Sequence, residues 1–152
     1  MIFLKVSVNR KIKQMEEPPF RCSTKKALDE LEIELNLIEK NPYWESMAGY
    51  SYTPGNPNDI QEYLDYYEQL KDLDKKFTLM EMILDSLSGQ DTEYDFLKYW
   101  KKTKPILIKD YLTHEYTIHY WKQMTVEFEG NNIMTPLIQE LISEMNSDKK
   151  VK

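Results

Sequence analysis

Residues 58–87 read NDIQEYLDYYEQLKDLDKKFTLMEMILDSL, and the spacing of the apolar groups in this stretch decides the fold. Tyr63, Tyr66, Leu70, Leu73, Phe77, Met80, Leu84 and Leu87 follow one another at intervals of three and four. At about 3.6 residues per turn these side chains share one side of an α-helix. The opposite side of the first half carries Asp65, Glu68 and Asp72 with Lys71, Lys75 and Lys76, as a solvated face does. From Phe77 onward, Leu79, Met82 and Ile83 add apolar groups on the remaining sides, and a helix apolar all round must be enclosed by neighbours. The pattern predicts one long central helix over 58–88, about 45 Å in length, running from a half-exposed start into the core. Asn58, with Gln61 three residues on, is its expected N-cap, and Ser88-Gly89 its expected end.

On the N-terminal side, residues 41–57 form a long connection with three prolines, two glycines and the aromatics Tyr43, Trp44, Tyr50 and Tyr52. Connections of this length in compact domains are enriched in function. Before it, Ser23 or Thr24 can cap a helix reaching Lys40, with Leu28, Leu31, Leu35 and Ile38 on its inner side, Glu30, Glu32 and Glu34 facing water, and Asn41-Pro42 ending it. Residues 10–21, polar and containing Pro18-Pro19, read as a connection. Residues 1–8 alternate as a strand does, and residues 124–129 are the candidate partner for a minor two-stranded β element.

On the C-terminal side, Thr92 with Asp95 starts a third helix through Tyr94, Leu97 and Trp100, which Pro105 should break or kink. The helical pattern resumes through Leu107, Ile108, Tyr111, Leu112, Ile118 and Trp121, although residues 116–121 are rich enough in β-branched and aromatic side chains to suit a strand. Thr135 and Pro136 open a last helix with Leu137, Ile138, Leu141, Ile142 and Met145 on one stripe, and residues 146–152 form a polar tail. The expected architecture is mainly α: a single domain over 1–152, a bundle of four to five helices around the central one.

Composition excludes several classes of function. No run approaches the roughly 18 apolar residues of a membrane span, and residues 1–8 are too short an apolar core for a secretory leader. The expected location is therefore cytoplasmic, with no membrane partner. The single cysteine, Cys22, rules out an intramolecular disulfide and a multi-cysteine zinc site. Residues 1–26 carry seven basic and two acidic groups, residues 27–100 five and seventeen, and residues 101–152 eight and seven, for a net charge of −6. A middle this acidic is poorly suited to nucleic acid, which needs clustered Lys and Arg. Basic partners fit it better, although the cationic first 26 residues could themselves lie across it.

Catalytic motifs fail on inspection. His114-Glu115 with His119 is not an HExxH zinc motif, since a separation of five turns the second histidine by about 140° and places Ile118 where the ligand belongs. The spacing does pair Asp110 with His114 and Glu115 with His119, and Glu81 with Asp85 could add carboxylates. No Glu-x-x-His of the di-iron type occurs, however, and no metal site is expected. Cys22 stands beside Arg21 and before Lys25 and Lys26, which favours a thiolate, yet no glycine cradle or neighbouring histidine makes it catalytic. GxGxxG, GxxxxGK[ST] and GxSxG are all missing, so neither catalytic residues nor cofactors are expected.

Eleven tyrosines and three tryptophans are more than a core of this size requires. Those at helical spacing suit the core rim, whereas Tyr43, Trp44, Tyr50 and Tyr52 sit in a loop, followed by Asp59, Glu62 and Asp65. These seven residues are the candidate partner-binding set. The expected function is that of a non-enzymatic acidic helical protein that binds a basic protein, in the manner of an inhibitor or immunity-type protein facing a nuclease toxin. The alternatives are a metal protein or enzyme built on His114 and His119 with nearby carboxylates, and a homo-oligomer in which the all-apolar half of the central helix meets another subunit.

Overall fold

The structure, a computed structural model, describes residues 18–123 and 134–151. The expected pairing of residues 1–8 with 124–129 lies outside them. The chain is mainly α-helical, of the bundle class. Among the described residues the elements are α1 (Lys25–Glu34), α2 (Leu37–Lys40), α3 (Trp44–Met47), a 3-10 turn (Pro57–Asp59), α4 (Ile60–Tyr67), α5 (Leu73–Ser88), α6 (Glu93–Lys109), α7 (Tyr111–Gln123) and α8 (Met134–Val151). Contacts between Cα atoms group them into two compact units: Cys22–Thr113, and a second unit containing the described residues 18–21 and 114–151.

In the first unit, α5 is the element around which the others pack: α1, α4, the 3-10 turn and α6 all contact it. Phe77, Leu79, Met80, Met82, Ile83, Leu84 and Leu87 are completely buried. The enclosed half of the central helix is therefore as the all-round apolar pattern requires. Removing any one of these side chains would leave a cavity costing about 2–5 kcal/mol.

The single long rod is not observed. The chain leaves helical geometry between Tyr67 and Leu73. Gln69 N donates to Tyr66 O (3.0 Å) and Leu70 N to Tyr67 O (3.1 Å), so the last turn tightens to 3-10 spacing. Asp72 then adopts an extended backbone (ψ 123°), and its side chain accepts from Lys75 N at 3.0 Å. An aspartate in that conformation is an N-cap, and it starts a new helix. The eight-residue stripe is interrupted accordingly, with Leu73 57% exposed. The start differs too: Asn56, not Asn58, caps the 3-10 turn by accepting from Asn58 N.

The first helix is also divided. Thr24 caps it as expected, accepting from Ala27 N at 3.1 Å, but Asn36 takes a left-handed conformation (φ 53°) and separates α1 from α2. Asparagine tolerates that conformation better than most residues, which is why the division falls there. Leu31, Leu35 and Leu37 are buried, and Ile38, expected inside, is half exposed.

Thr92 caps α6 by accepting from Asp95 N at 3.1 Å. Pro105 does not end α6, which continues to Lys109. The inner face is Phe96, Trp100, Thr103 and Leu107; Tyr94 and Leu97, which share the expected helical pattern with Trp100, are exposed. In the second unit, residues 116–121 are helical rather than extended. Phe20 meets the Tyr116 ring edge-on at 5.2 Å, and Thr135 Oγ1 donates to Trp121 O at 2.8 Å. Met134, Ile138 and Leu141 form the buried stripe of α8. Residues 146–151, expected as a polar tail, continue that helix. No helix among the described residues is long and apolar enough to cross a membrane.

Candidate functional site

The connection between Asn41 and Pro57 is a fastened surface. Asn41, almost fully buried, donates from Nδ2 to Pro54 O (2.9 Å) and accepts from Tyr43 N (3.1 Å), so both ends of the loop converge on one side chain. Gly49 and Tyr52 pair through their backbones, at 2.8 and 3.3 Å. Ser23 N donates to Tyr50 O at 2.8 Å, fixing the loop to the start of α1. Asn56 donates from N to the Tyr63 hydroxyl (3.1 Å) and from Nδ2 to Lys40 O (3.1 Å). While its backbone is held at these points, the loop exposes Tyr43 (60%), Met47 (50%), Tyr50 (53%) and Tyr52 (42%).

Trp44 behaves differently from the other three aromatics of the predicted set. It is 3% exposed, and its indole Nε1 donates to Glu32 at 2.8 Å. Its bulk anchors α3 to α1, so it presents no surface to a partner. Of the predicted acids, Glu62 pairs with Lys40 at 3.0 Å, with both groups exposed. Asp65 accepts from Gln61 at 2.8 Å. Asp59 is half-buried, and burial, then the neighbouring Glu62, raises its carboxyl above the ordinary range. The structure thus collects Tyr43, Tyr50 and Tyr52 on one loop and commits Trp44 to the interior. Met47 belongs with the tyrosines and escaped sequence reasoning because a lone methionine carries no spacing signal.

Beneath the loop runs a polar seam along α5. Asp85 accepts from Gly55 N at 2.8 Å and from the Tyr52 hydroxyl at 3.4 Å. Glu81, one turn earlier, accepts from Ser23 Oγ at 3.4 Å, and Ser23 Oγ accepts from Thr78 Oγ1 at 2.8 Å. Desolvation pushes the Glu81 carboxyl up to about 7, against the weaker opposing pull of the Ser23 hydroxyl. Asp85 is raised for the same reason, partly offset by the Gly55 and Tyr52 donors. Gly55 passes so close that a Cβ there would lie 2.0 Å from Met82 O and 2.2 Å from Ser86 Oγ. The two carboxylates therefore hold the loop from below: Asp85 through the Gly55 and Tyr52 contacts, Glu81 through Ser23, the residue bonded to Tyr50.

His114 and His119 are buried on α7. Asp110, expected beside His114, accepts from the Tyr67 hydroxyl at 2.7 Å and pairs with Lys76 at 3.3 Å. Burial, then Asp110, pushes the Tyr67 phenol well above its ordinary value. Among the described residues no three His, Cys, Asp or Glu side chains are grouped to hold a metal ion. Cys22 is half-buried at the edge of the seam, next to Ser23. No family model matches the chain, and neither a curated protein nor a solved structure matches it.

Proposed function

We propose that this chain is a non-enzymatic helical protein that binds a basic protein through the Tyr43–Tyr52 loop, as an inhibitor or immunity-type protein does. The observation that carries the reading is the contrast within the loop, whose backbone is fastened at both ends and at its middle while three tyrosines and a methionine point outward. Tyrosine buries a large area with few rotatable bonds, and a loop already held in place loses little further entropy when a partner covers it. Apolar groups exposed together in this way are the usual mark of an interaction site. Residues 41–70 contain five acidic and no basic groups, which favours encounter with a positively charged surface.

Photo-crosslinking tests the proposal. A benzophenone side chain is placed at position 43 or 50, and at position 112 as a surface control, in cells that make the chain from its native gene. One basic protein captured from the two loop positions, absent from the control, and lost from position 43 when Tyr50→Ser and Tyr52→Phe are added to a chain that melts normally, is the expected result. Equal capture from all three positions would remove the loop from the function.

A further inference from the structure

The outer face of α6 is basic, whereas the tyrosine loop lies in an acidic stretch of the sequence. Its inner face is occupied by Phe96, Trp100 and Leu107, which leaves Tyr94 78%, Leu97 39% and Ile108 41% exposed on another side. Residues 98–109 contain five lysines and no acid. Lys98, Lys101, Lys102 and Lys109 enter no ion pair among the described residues; Lys98 and Lys102 lie 5.3 and 5.6 Å from the Tyr99 ring centre, and Lys102 donates to Gln61. This is an exposed stripe of apolar groups edged with positive charge. The same unit carries the aromatic loop within a stretch of five acids and no base.

We infer that the lysine-edged face of α6 docks on the tyrosine loop of a second copy of this chain. Two complementary surfaces on one molecule can be satisfied twice about a two-fold axis, α6 of each copy on the loop of the other, so the contact closes as a dimer. The chemistry matches on both sides: tyrosine rings accept lysine ammonium groups on their faces, and Tyr94, Leu97 and Ile108 supply the apolar area. The inference rests on the reading of the loop as a docking surface. It adds that self-association covers this surface until a more basic partner displaces the second copy, so apparent affinity for that partner falls as the chain becomes more concentrated.

Sedimentation velocity on the full chain tests it, with Lys98→Glu, Lys101→Glu as one variant and Tyr43→Ser, Tyr50→Ser as another. All four positions are exposed, and unchanged melting checks that both variants fold. The wild type should dimerise with rising concentration and less so at high salt, and each variant should lose association by about tenfold or more. An equimolar mixture of the two should recover heterodimer in part, because one of its two contacts pairs an unaltered α6 with an unaltered loop. A wild type that stays monomeric, or a dimer indifferent to both variants and to salt, overturns the inference. If the chain is monomeric yet the loop still crosslinks one basic protein, only the second copy falls and the docking reading stands.

Discussion

Replacing Glu81 by Gln removes a carboxyl that the fold holds near neutrality while keeping an oxygen for Ser23 Oγ to donate to. In the folded chain this carboxyl sits at about 7 instead of its ordinary 4.5, a difference of about 3 kcal/mol between its two protonation states. The sign follows from proton binding. Between pH 4.5 and 7 the folded chain keeps the Glu81 proton and the unfolded chain releases it, so stability falls as pH rises through this window. Below pH 4.5 the group costs nothing, and above pH 7 the full cost of a buried charge is present. Glutamine is neutral throughout, so E81Q should match the wild type at pH 4.5 and exceed it by about 3 kcal/mol at pH 8, or about 6–12 °C in Tm. Asp85 and Asp59 are raised as well, but both remain in the variant, so the difference between the two proteins isolates Glu81. Urea unfolding followed by far-ultraviolet circular dichroism at several pH values between 4.5 and 8 provides the measurement. A difference that does not change with pH would refute the assignment of a buried, protonated Glu81.

Trp44→Ala should destabilise the chain by about 3–5 kcal/mol, whereas Tyr43→Ser, one residue away and exposed, should stay within about 0.5 kcal/mol; paired thermal melts would show the contrast. Gly55→Ala places a Cβ against the Met82 backbone, so it should cost at least about 2 kcal/mol and raise amide exchange across the loop, read by hydrogen–deuterium exchange. Thr92→Ala removes the hydroxyl that accepts from Asp95 N and should cost about 1 kcal/mol by urea titration.

Local signals were legible in the sequence where one residue does one job. Thr24 and Thr92 cap their helices because a hydroxyl three residues before a free amide has few other uses. The enclosure of Met82 and Ile83 followed from apolar groups on every side of α5. The division between Tyr67 and Leu73 was illegible by periodicity, because Leu70 and Leu73 continue the three-four rhythm while the backbone does not. The available signal was Asp72, a capping residue read instead as part of a solvated face. On α6 two stripes compete, Tyr94 with Leu97 and Phe96 with Thr103 and Leu107, both sharing helical spacing with Trp100, and tertiary packing selected the second. In the candidate site the loop and its tyrosines could be found from composition. The burial of Trp44 depended on Glu32, and the seam under the loop on the approach of Gly55 to α5, contacts 12 and 30 residues apart in sequence.

The corner between α4 and α5 has a practical consequence. Glu68, Gln69 and Lys71 are exposed, and the hydrogen bonds that shape the corner end at Leu70 N and begin again at Asp72. A short flexible insert between Leu70 and Lys71 would lengthen an outward bend without entering the core or displacing the cap. A fluorescent reporter or affinity handle spliced there would leave both chain ends and the tyrosine loop untouched, giving a way to follow the protein in cells.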